Sequence, residues 1–177
     1  MTCVVAVIEN GKVWMGADSA GVAGYSLTVR KDPKIFRVGD ALIGFTSSFR
    51  MGQLLGYRLS LPKRHQDVSV DQYMHTVFID AVRDALKAGG YSANQNGRED
   101  AGVFLVGYEG RLFKIENDYQ IGESLLPYRA CGCGEDLALG SLYSTVGQPA
   151  NLRLEKALQA AEAFSAGVCP PFRFDSV

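Results

Sequence analysis

The chain predicts an α+β domain of two antiparallel sheets packed together, each with helices on its outer side. Three observations carry this. Three pairs of strand-like segments flank tight-turn signals, Asn10-Gly11, Gly39-Asp40 and Glu109-Gly110, and such turns join antiparallel neighbours. Helical patterns come in groups between and after these hairpins. The first strand, Cys3-Val4-Val5-Ala6-Val7-Ile8, is apolar without alternation, so both of its faces are expected to be covered. No internal repeat or linker interrupts the 177 residues, and a single domain over 1–177 is expected.

Residues 2–9 read as the first strand and Lys12 to Asp18 as its return. Ser19 to Pro33 is rich in Gly and Ser and reads as a loop with a short extended piece. The second hairpin runs from Lys34 to Val38 and from Ala41 to Thr46. Ser47 or Ser48 can cap a helix reaching about Arg58, in which Met51, Leu54 and Leu55 keep helical spacing. A longer helix starts at Ser69 or Asp71. Its apolar face is Tyr73, Val77, Phe78, Ala81, Val82 and Leu86, and it ends at Gly89-Gly90. Residues 91–100 read as an exposed polar loop. The third hairpin joins Val103–Val106 to Arg111–Ile115. A helix opens near Gly134-Glu135-Asp136, with its acids suited to an N-terminus. The last helix is expected over Leu152–Phe164. Pro170-Pro171 ends any helix, and Phe172-Arg173-Phe174 can form a final short strand.

With 47% hydrophobic residues, a chain of this length can bury roughly 70% of its unfolded surface without a disulfide or metal. The net charge of -1 and pI of about 6.1 argue against a nucleic-acid or anionic-membrane partner. Lys63-Arg64-His65 reads as a solvated loop. Cys3, Cys131, Cys133 and Cys169 form no Cys-x-x-Cys pair and follow no secretory segment. They read as reduced thiols of a cytoplasmic protein. His65 and His75 stand at no ligand-like spacing from the cysteines, so no zinc site is expected. The apolar runs are too short to span a bilayer.

The chemistry is concentrated near the N-terminus. Thr2 opens the first strand. Removal of Met1 would place a hydroxyl and a free α-amine on one residue, a nucleophile with its own base. The amine has an ordinary pKa of about 7.7–8.0, near working pH. A nearby ammonium would keep it unprotonated by like-charge repulsion, and a carboxylate would hold that ammonium. Backbone N–H groups would have to stabilise an oxyanion. Asp18 ends the second strand, beside Thr2 once the first hairpin closes. Lys34 opens the third strand. Ser47-Ser48 lies where a strand turns into a helix N-terminus, which presents free N–H groups.

These residues carry a resemblance. Thr2 with Cys3-Val4-Val5-Ala6-Val7, then Gly16-Ala17-Asp18-Ser19, then Lys34 resembles the proteasome β-type subunits and their bacterial relative HslV. Asp18 and Lys34 stand 16 and 32 residues beyond Thr2, the family's spacing for its catalytic Thr, Asp and Lys. Leu42 to Ser48 resembles the turn that supplies the oxyanion N–H. Gly132-Cys133-Gly134 resembles the family's Gly-Ser-Gly before a helix. Glu162 to Gly167 resembles the stretch whose Asp and Ser support the terminal amine, which here points to Glu162 and Ser165. The resemblance implies the four-layer αββα sandwich of N-terminal-nucleophile hydrolases. It further implies threonine peptidase activity on peptide or unfolded protein, without cofactor, in stacked homo-oligomeric rings. The chain departs from the family in having Ser47-Ser48 where members often have Gly-Gly, Cys133 for Ser, and Glu162 for Asp. It carries no propeptide, so removal of Met1 would fall to methionine aminopeptidase. No nucleotide-binding motif is present, so ATP use would require a partner ATPase unfoldase.

Each residue also has a plainer reading. Alone, Thr2 is a strand residue, Asp18 a turn residue and Lys34 a solvated strand start; the three persuade only jointly. Ser19 is either a site hydroxyl or a turn residue. Cys133 is a small packed thiol, and Cys3, pointing opposite to Thr2, belongs to the core. Thr46 and Arg50 are candidate pocket residues, with an exposed helix position the alternative for Arg50. Two further functions stay open: a catalytically inactive ring subunit of the same fold, and an amidohydrolase acting on a small amide. An inactive subunit would have no need of Thr2, Asp18 and Lys34 in register.

Overall fold

The computed structural model describes residues 1–91, 93–95 and 98–177. In chain order the strands begin with β1 (Cys3–Glu9), β2 (Lys12–Ala17), β3 (Ala20–Ala23), β4 (Ser26–Val29), β5 (Ile35–Val38) and β6 (Ala41–Phe45). Helix α1 (Phe49–Tyr57) follows. A second helix, α2, is α-helical over Val70–Tyr73, π-helical over Met74–Phe78 and α-helical again over Ile79–Ala88. Then come β7 (Ala93–Gln95), β8 (Arg98–Asp100), β9 (Phe104–Tyr108), β10 (Arg111–Ile115), β11 (Ile121–Glu123) and β12 (Tyr128–Gly132). Helices α3 (Glu135–Ser144) and α4 (Ala150–Phe164) precede the last strand, β13 (Arg173–Ser176).

Two antiparallel sheets dominate, one ordered β12-β1-β2-β13 and the other β11-β10-β9-β6-β5. Strand alternation sorts their side chains into three cores. Val4 and Ala6 of β1 meet Leu42, Leu105 and Leu112 of the other sheet between the two. Cys3, Val5 and Val7 point the other way, onto Leu142, Leu154 and Leu158 of α3 and α4. On the second sheet, Ile43, Phe45, Phe104 and Val106 pack on Leu54, Phe78 and Leu86 of α1 and α2. The order is therefore helix, sheet, sheet, helix, and it explains why β1 is apolar throughout: each of its faces is someone's core. The sheets approach closely at Gly44, where a Cβ would lie 2.5 Å from the Met15 sulfur and 2.6 Å from Val4.

Local chemistry explains the ends. Asn10 and Gly11 take positive φ at the first hairpin turn. Ser48 caps α1 by accepting the Arg50 N–H at 3.1 Å, and Ser69 caps α2 by accepting from Gln72 N–H. No helix among the described residues is long and apolar enough to cross a membrane.

Several expectations change. Ser19 to Pro33 is not merely a loop: β3 and β4 form a separate antiparallel ribbon turning at Gly24. Residues 91–100, expected as an exposed loop, include the paired strands β7 and β8; residues 92, 96 and 97 lie outside the described residues. The strands β11 and β12 had no counterpart in the sequence reading. The last helix begins at Ala150 rather than Leu152, because Glu9 accepts the Ala150 N–H at 3.0 Å and so starts it earlier. The final strand is Arg173–Ser176 rather than 172–174, paired to β2.

Candidate active site

The β1–β2 register pairs Val4 with Ala17, which sets Asp18 beside Cys3 and one residue from Thr2. Asp18 is 1% exposed and its carboxylate is saturated. Oδ1 accepts the Lys34 ammonium at 2.8 Å and the Cys3 N–H at 2.9 Å. Oδ2 accepts the N–H groups of Ala20 at 2.8 Å and Cys169 at 3.3 Å. Lys34 comes from the other sheet, immediately before β5, and is also 1% exposed. The charge pair thus bridges the two sheets at the end where Thr2 lies. Burial pulls the Lys34 pKa below the ordinary lysine value, with Asp18 opposing that pull.

Thr2 is 4% exposed. Its N–H, now an amide, donates to the Cys133 sulfur at 3.2 Å, and its hydroxyl donates to the Met1 carbonyl at 2.5 Å. The Cys133 thiol in turn donates to the Thr2 carbonyl at 3.4 Å and receives the Ser165 hydroxyl at 3.5 Å. This end is assembled by β12, which pairs with β1 so that Cys3 opposes Gly132. Gly132 has φ +102, and a Cβ there would lie 2.2 Å from the Thr2 carbonyl oxygen. Only glycine allows that approach. Glu162 is exposed on α4 and takes no part in the hydrogen bonds of Thr2.

A cleft of about 320 Å³ opens on Thr2. Met1, Thr46, Ser47, Ser48, Arg30, Phe45 and Phe49 are among its walls. Arg50 does not line it; the side chain sits exposed at the start of α1. Ser47 holds φ +64, an uncommon value for a residue with a Cβ, while the Ser48 N–H bonds back to the Thr46 carbonyl at 2.8 Å. The result is a tight three-residue turn of the strained kind. Its hydroxyls are engaged: Ser47 accepts the Val103 N–H at 3.0 Å and Ser48 caps α1. The Ser47 N–H is different. Among the described residues it donates to no acceptor, and it belongs to the cleft wall.

Ser19 is buried and its hydroxyl donates to the Pro171 carbonyl at 2.6 Å, which fastens the C-terminal segment rather than facing substrate. Burial raises the pKa of Cys3, Cys131 and Cys169 above the usual thiol range; Cys3 belongs to the core packed on α3 and α4. Among the described residues no group of three or more His, Cys, Asp or Glu is placed to hold a metal ion.

The sequence reading missed Arg30, Phe45 and Phe49 in the cleft. Arg30 lies flat against the Phe49 ring, 4.0 Å from its centroid, and is locked to Asp32 by two hydrogen bonds of 2.8 and 2.7 Å. A sequence signal existed for it. Leu27 and Val29 alternate with polar residues beyond the Gly24 turn, which marks a strand leading directly into Arg30.

No protein-family model matches the chain, and no curated protein matches it. Solved structures do. Thiobacillus denitrificans BPH in complex with epoxomicin superposes with a TM-score of 0.82 at 22% identity, covering 99% of this chain and 98% of that one. The fold is that of the HslV-like proteasome subunits. Eukaryotic HslV from Trypanosoma brucei matches with TM-score 0.71 at 16% identity, over 99% of this chain and 98% of that chain. Anbu, the ancestral beta-subunit from Yersinia bercovieri, matches with TM-score 0.69 at 14% identity, over 99% and 81%. Within this fold Thr2 lines the cleft, while Asp18 and Lys34 lie buried behind it, linked to the Thr2–Cys3 segment through the Cys3 N–H.

Proposed function

We propose that the chain is a threonine peptidase whose nucleophile is the Thr2 hydroxyl, exposed to substrate once Met1 has been removed. The observation that carries this reading is the fully buried Lys34–Asp18 pair, anchored by backbone donors that include the Cys3 N–H directly after Thr2. Two charges taken out of water are costly to maintain. A buried pair kept one residue from a threonine that lines a cleft supports a role for it in chemistry.

In the proposed mechanism the freed α-amine of Thr2 takes the proton of Oγ1 as the oxygen attacks a peptide carbonyl. The nearby Lys34 ammonium disfavours a second positive charge and so keeps that amine able to accept a proton. The tetrahedral oxyanion forms within reach of the Ser47 N–H, whose hydrogen bond has been left for it. The strained turn aims this donor in advance, so no reorganisation is needed during the reaction. The amine then gives its proton to the leaving nitrogen, the C–N bond breaks, and an ester on Thr2 remains. Water, deprotonated by the same amine, cleaves the ester and restores Thr2. Met1 now forms part of the cleft wall, so its departure both creates the base and widens the site.

The decisive experiment combines intact mass with turnover of fluorogenic peptide amides. The expected result is a mass lacking Met1, with hydrolysis that Thr2→Ala reduces to background. A processed protein whose Thr2→Ala variant keeps full activity would sink the proposal. We further propose that subunits assemble into stacked homo-oligomeric rings, as the fold likeness suggests, with an ATPase unfoldase as the candidate partner and the cytoplasm as the setting. Light scattering at micromolar concentration should give a mass many times that of the 19.2 kDa chain; a monomer would reject assembly.

A further inference from the structure

Two successive residues of the cleft turn hold Val103, and only the first holds it with its backbone. Strand β6 runs antiparallel to β9 with Phe45 opposite Phe104, so the next pair along is Thr46 and Val103. The Thr46 N–H donates to the Val103 carbonyl at 3.1 Å. A hydrogen-bonded antiparallel pair exchanges two such bonds, so the second would run from the Val103 N–H to the Thr46 carbonyl. That second bond is not made. The Thr46 carbonyl accepts the Ser48 N–H at 2.8 Å instead, and the Val103 N–H donates to the Ser47 hydroxyl oxygen at 3.0 Å.

The Ser47 side chain therefore stands in for a backbone carbonyl. Its consequence lies in the peptide group between Thr46 and Ser47. The Thr46 carbonyl and the Ser47 N–H belong to that one planar unit and point in opposite directions. Whatever turns the carbonyl turns the N–H with it. Were the carbonyl drawn back to Val103 to complete the ladder, the free Ser47 N–H would rotate away from its present direction. The hydroxyl removes that competition, because the half-buried Val103 N–H already has its acceptor and an unpaired amide is costly.

The surroundings keep this clasp in place. A Cβ on Gly102 would lie 3.0 Å from the Ser47 Cβ and 3.1 Å from its Oγ, so glycine there leaves the hydroxyl its room. Val103 is fixed from both sides: the Ala101 N–H donates to the Asn117 carbonyl at 2.8 Å, and Phe104 begins β9.

We propose that the Ser47 hydroxyl is a positioning group. By accepting the Val103 N–H it leaves the Thr46 carbonyl to Ser48, and so sets the direction of the Ser47 N–H at the cleft wall. That this N–H serves an oxyanion rests on the peptidase reading; the clasp itself does not.

Two substitutions test it. Ser47→Ala keeps the Cβ and its positive φ and removes only the acceptor. Ser47→Asn supplies a carbonyl oxygen on a residue that tolerates the left-handed region. Hydrogen exchange read at single residues needs no turnover: Ser47→Ala should speed exchange of the Ser48 N–H at least about ten-fold, and Ser47→Asn should restore most of the protection. With fluorogenic peptide amides, Ser47→Ala should lower kcat about ten-fold and leave KM within about two-fold, the pattern of a contact made in the transition state. Ser47→Asn should recover most of that kcat. Thermal melts establish that each variant is folded; if Ser47→Ala is not, Ser47→Gly, which loses the acceptor but takes positive φ without strain, is read in its place. Unchanged Ser48 exchange without the hydroxyl, unchanged kcat alongside faster exchange, or losses that asparagine leaves unrepaired overturn the proposal. A processed wild type without turnover would instead sink the peptidase reading, and the exchange rates would still decide the clasp.

Discussion

Around Asp18 every polar atom has a close partner, whereas around Cys133 the contacts pass through one exposed sulfur. The Asp18 end lies between the sheets, where four donors converge on two oxygens within 2.8–3.3 Å. The Cys133 end lies at the rim, with sulfur contacts of 3.2, 3.4 and 3.5 Å. Sulfur is a weak donor and acceptor, so this end holds Thr2 more loosely. A buried charge pair with one imperfect contact would destabilise the whole sheet interface. For the α-amine of the proposed mechanism, which would accept and release protons, a soft neighbour suits better than a saturated one.

The largest expected effect is at the saturated end. Lys34→Met should bring hydrolysis to background and leave the Asp18 carboxylate buried without its counter-ion. Breaking a buried pair from one side costs about 3–5 kcal/mol, read as a shift in the urea midpoint. Asp18→Asn should do the same from the other side, because an amide cannot accept from four donors. The pH dependence sharpens this. Burial lowers the native Lys34 pKa, so between that value and the ordinary lysine value of about 10.4 the unfolded chain binds the extra proton. Stability then rises with pH. The wild type should gain on Lys34→Met as pH climbs through this window, and that gain should vanish below the native pKa. A constant difference from neutral pH to about 10.4 would contradict the burial argument.

The same two ends differ in how far the sequence revealed them. The β1–β2 hairpin was readable because Asn10-Gly11 fixes the turn and the pairing follows by counting, which puts Asp18 next to Cys3. Lys34 was readable because Gly39-Asp40 similarly sets β5 against β6. The Cys133 end was not readable from local pattern. Tyr128–Gly132 is five residues long, and its partner β1 lies more than a hundred residues earlier; no turn connects them, so nothing local states the register. Gly132-Cys133-Gly134 came only from resemblance. Ser47 shows a different limit. A strand-to-helix turn was legible there, but a positive φ at a serine runs against its intrinsic preference, so the free N–H emerged only with the backbone. Arg30 and Asp32 were hidden by the reading of Ser19 to Pro33 as a loop. The ribbon β3–β4 has mostly exposed residues, and its one periodic signal, the alternation of Leu27 and Val29 with polar residues, spans only a few positions.

The smallest expected effect is at the loose end, and it tests whether that looseness matters. Cys133→Ser replaces a weak hydrogen-bond partner of Thr2 by a better one at nearly the same position. Ser165 can still donate to it, so the variant should fold with an unchanged melting temperature and keep kcat/KM within about five-fold, since a single neutral hydrogen bond contributes only ~1 kcal/mol. The discriminating readout is chemical. Cys133 is the exposed thiol, Cys3 and Cys131 are buried, and Cys169 is partly covered with its pKa raised by burial. N-ethylmaleimide should therefore attack Cys133 first, and its bulk beside Thr2 should inactivate the wild type. Cys133→Ser should retain activity under the same treatment. Equal inactivation of both proteins would place the sensitive thiol elsewhere, with Cys169 beside Asp18 the next to test. It would also mean that the sulfur contacts at Thr2 do not govern access to the nucleophile.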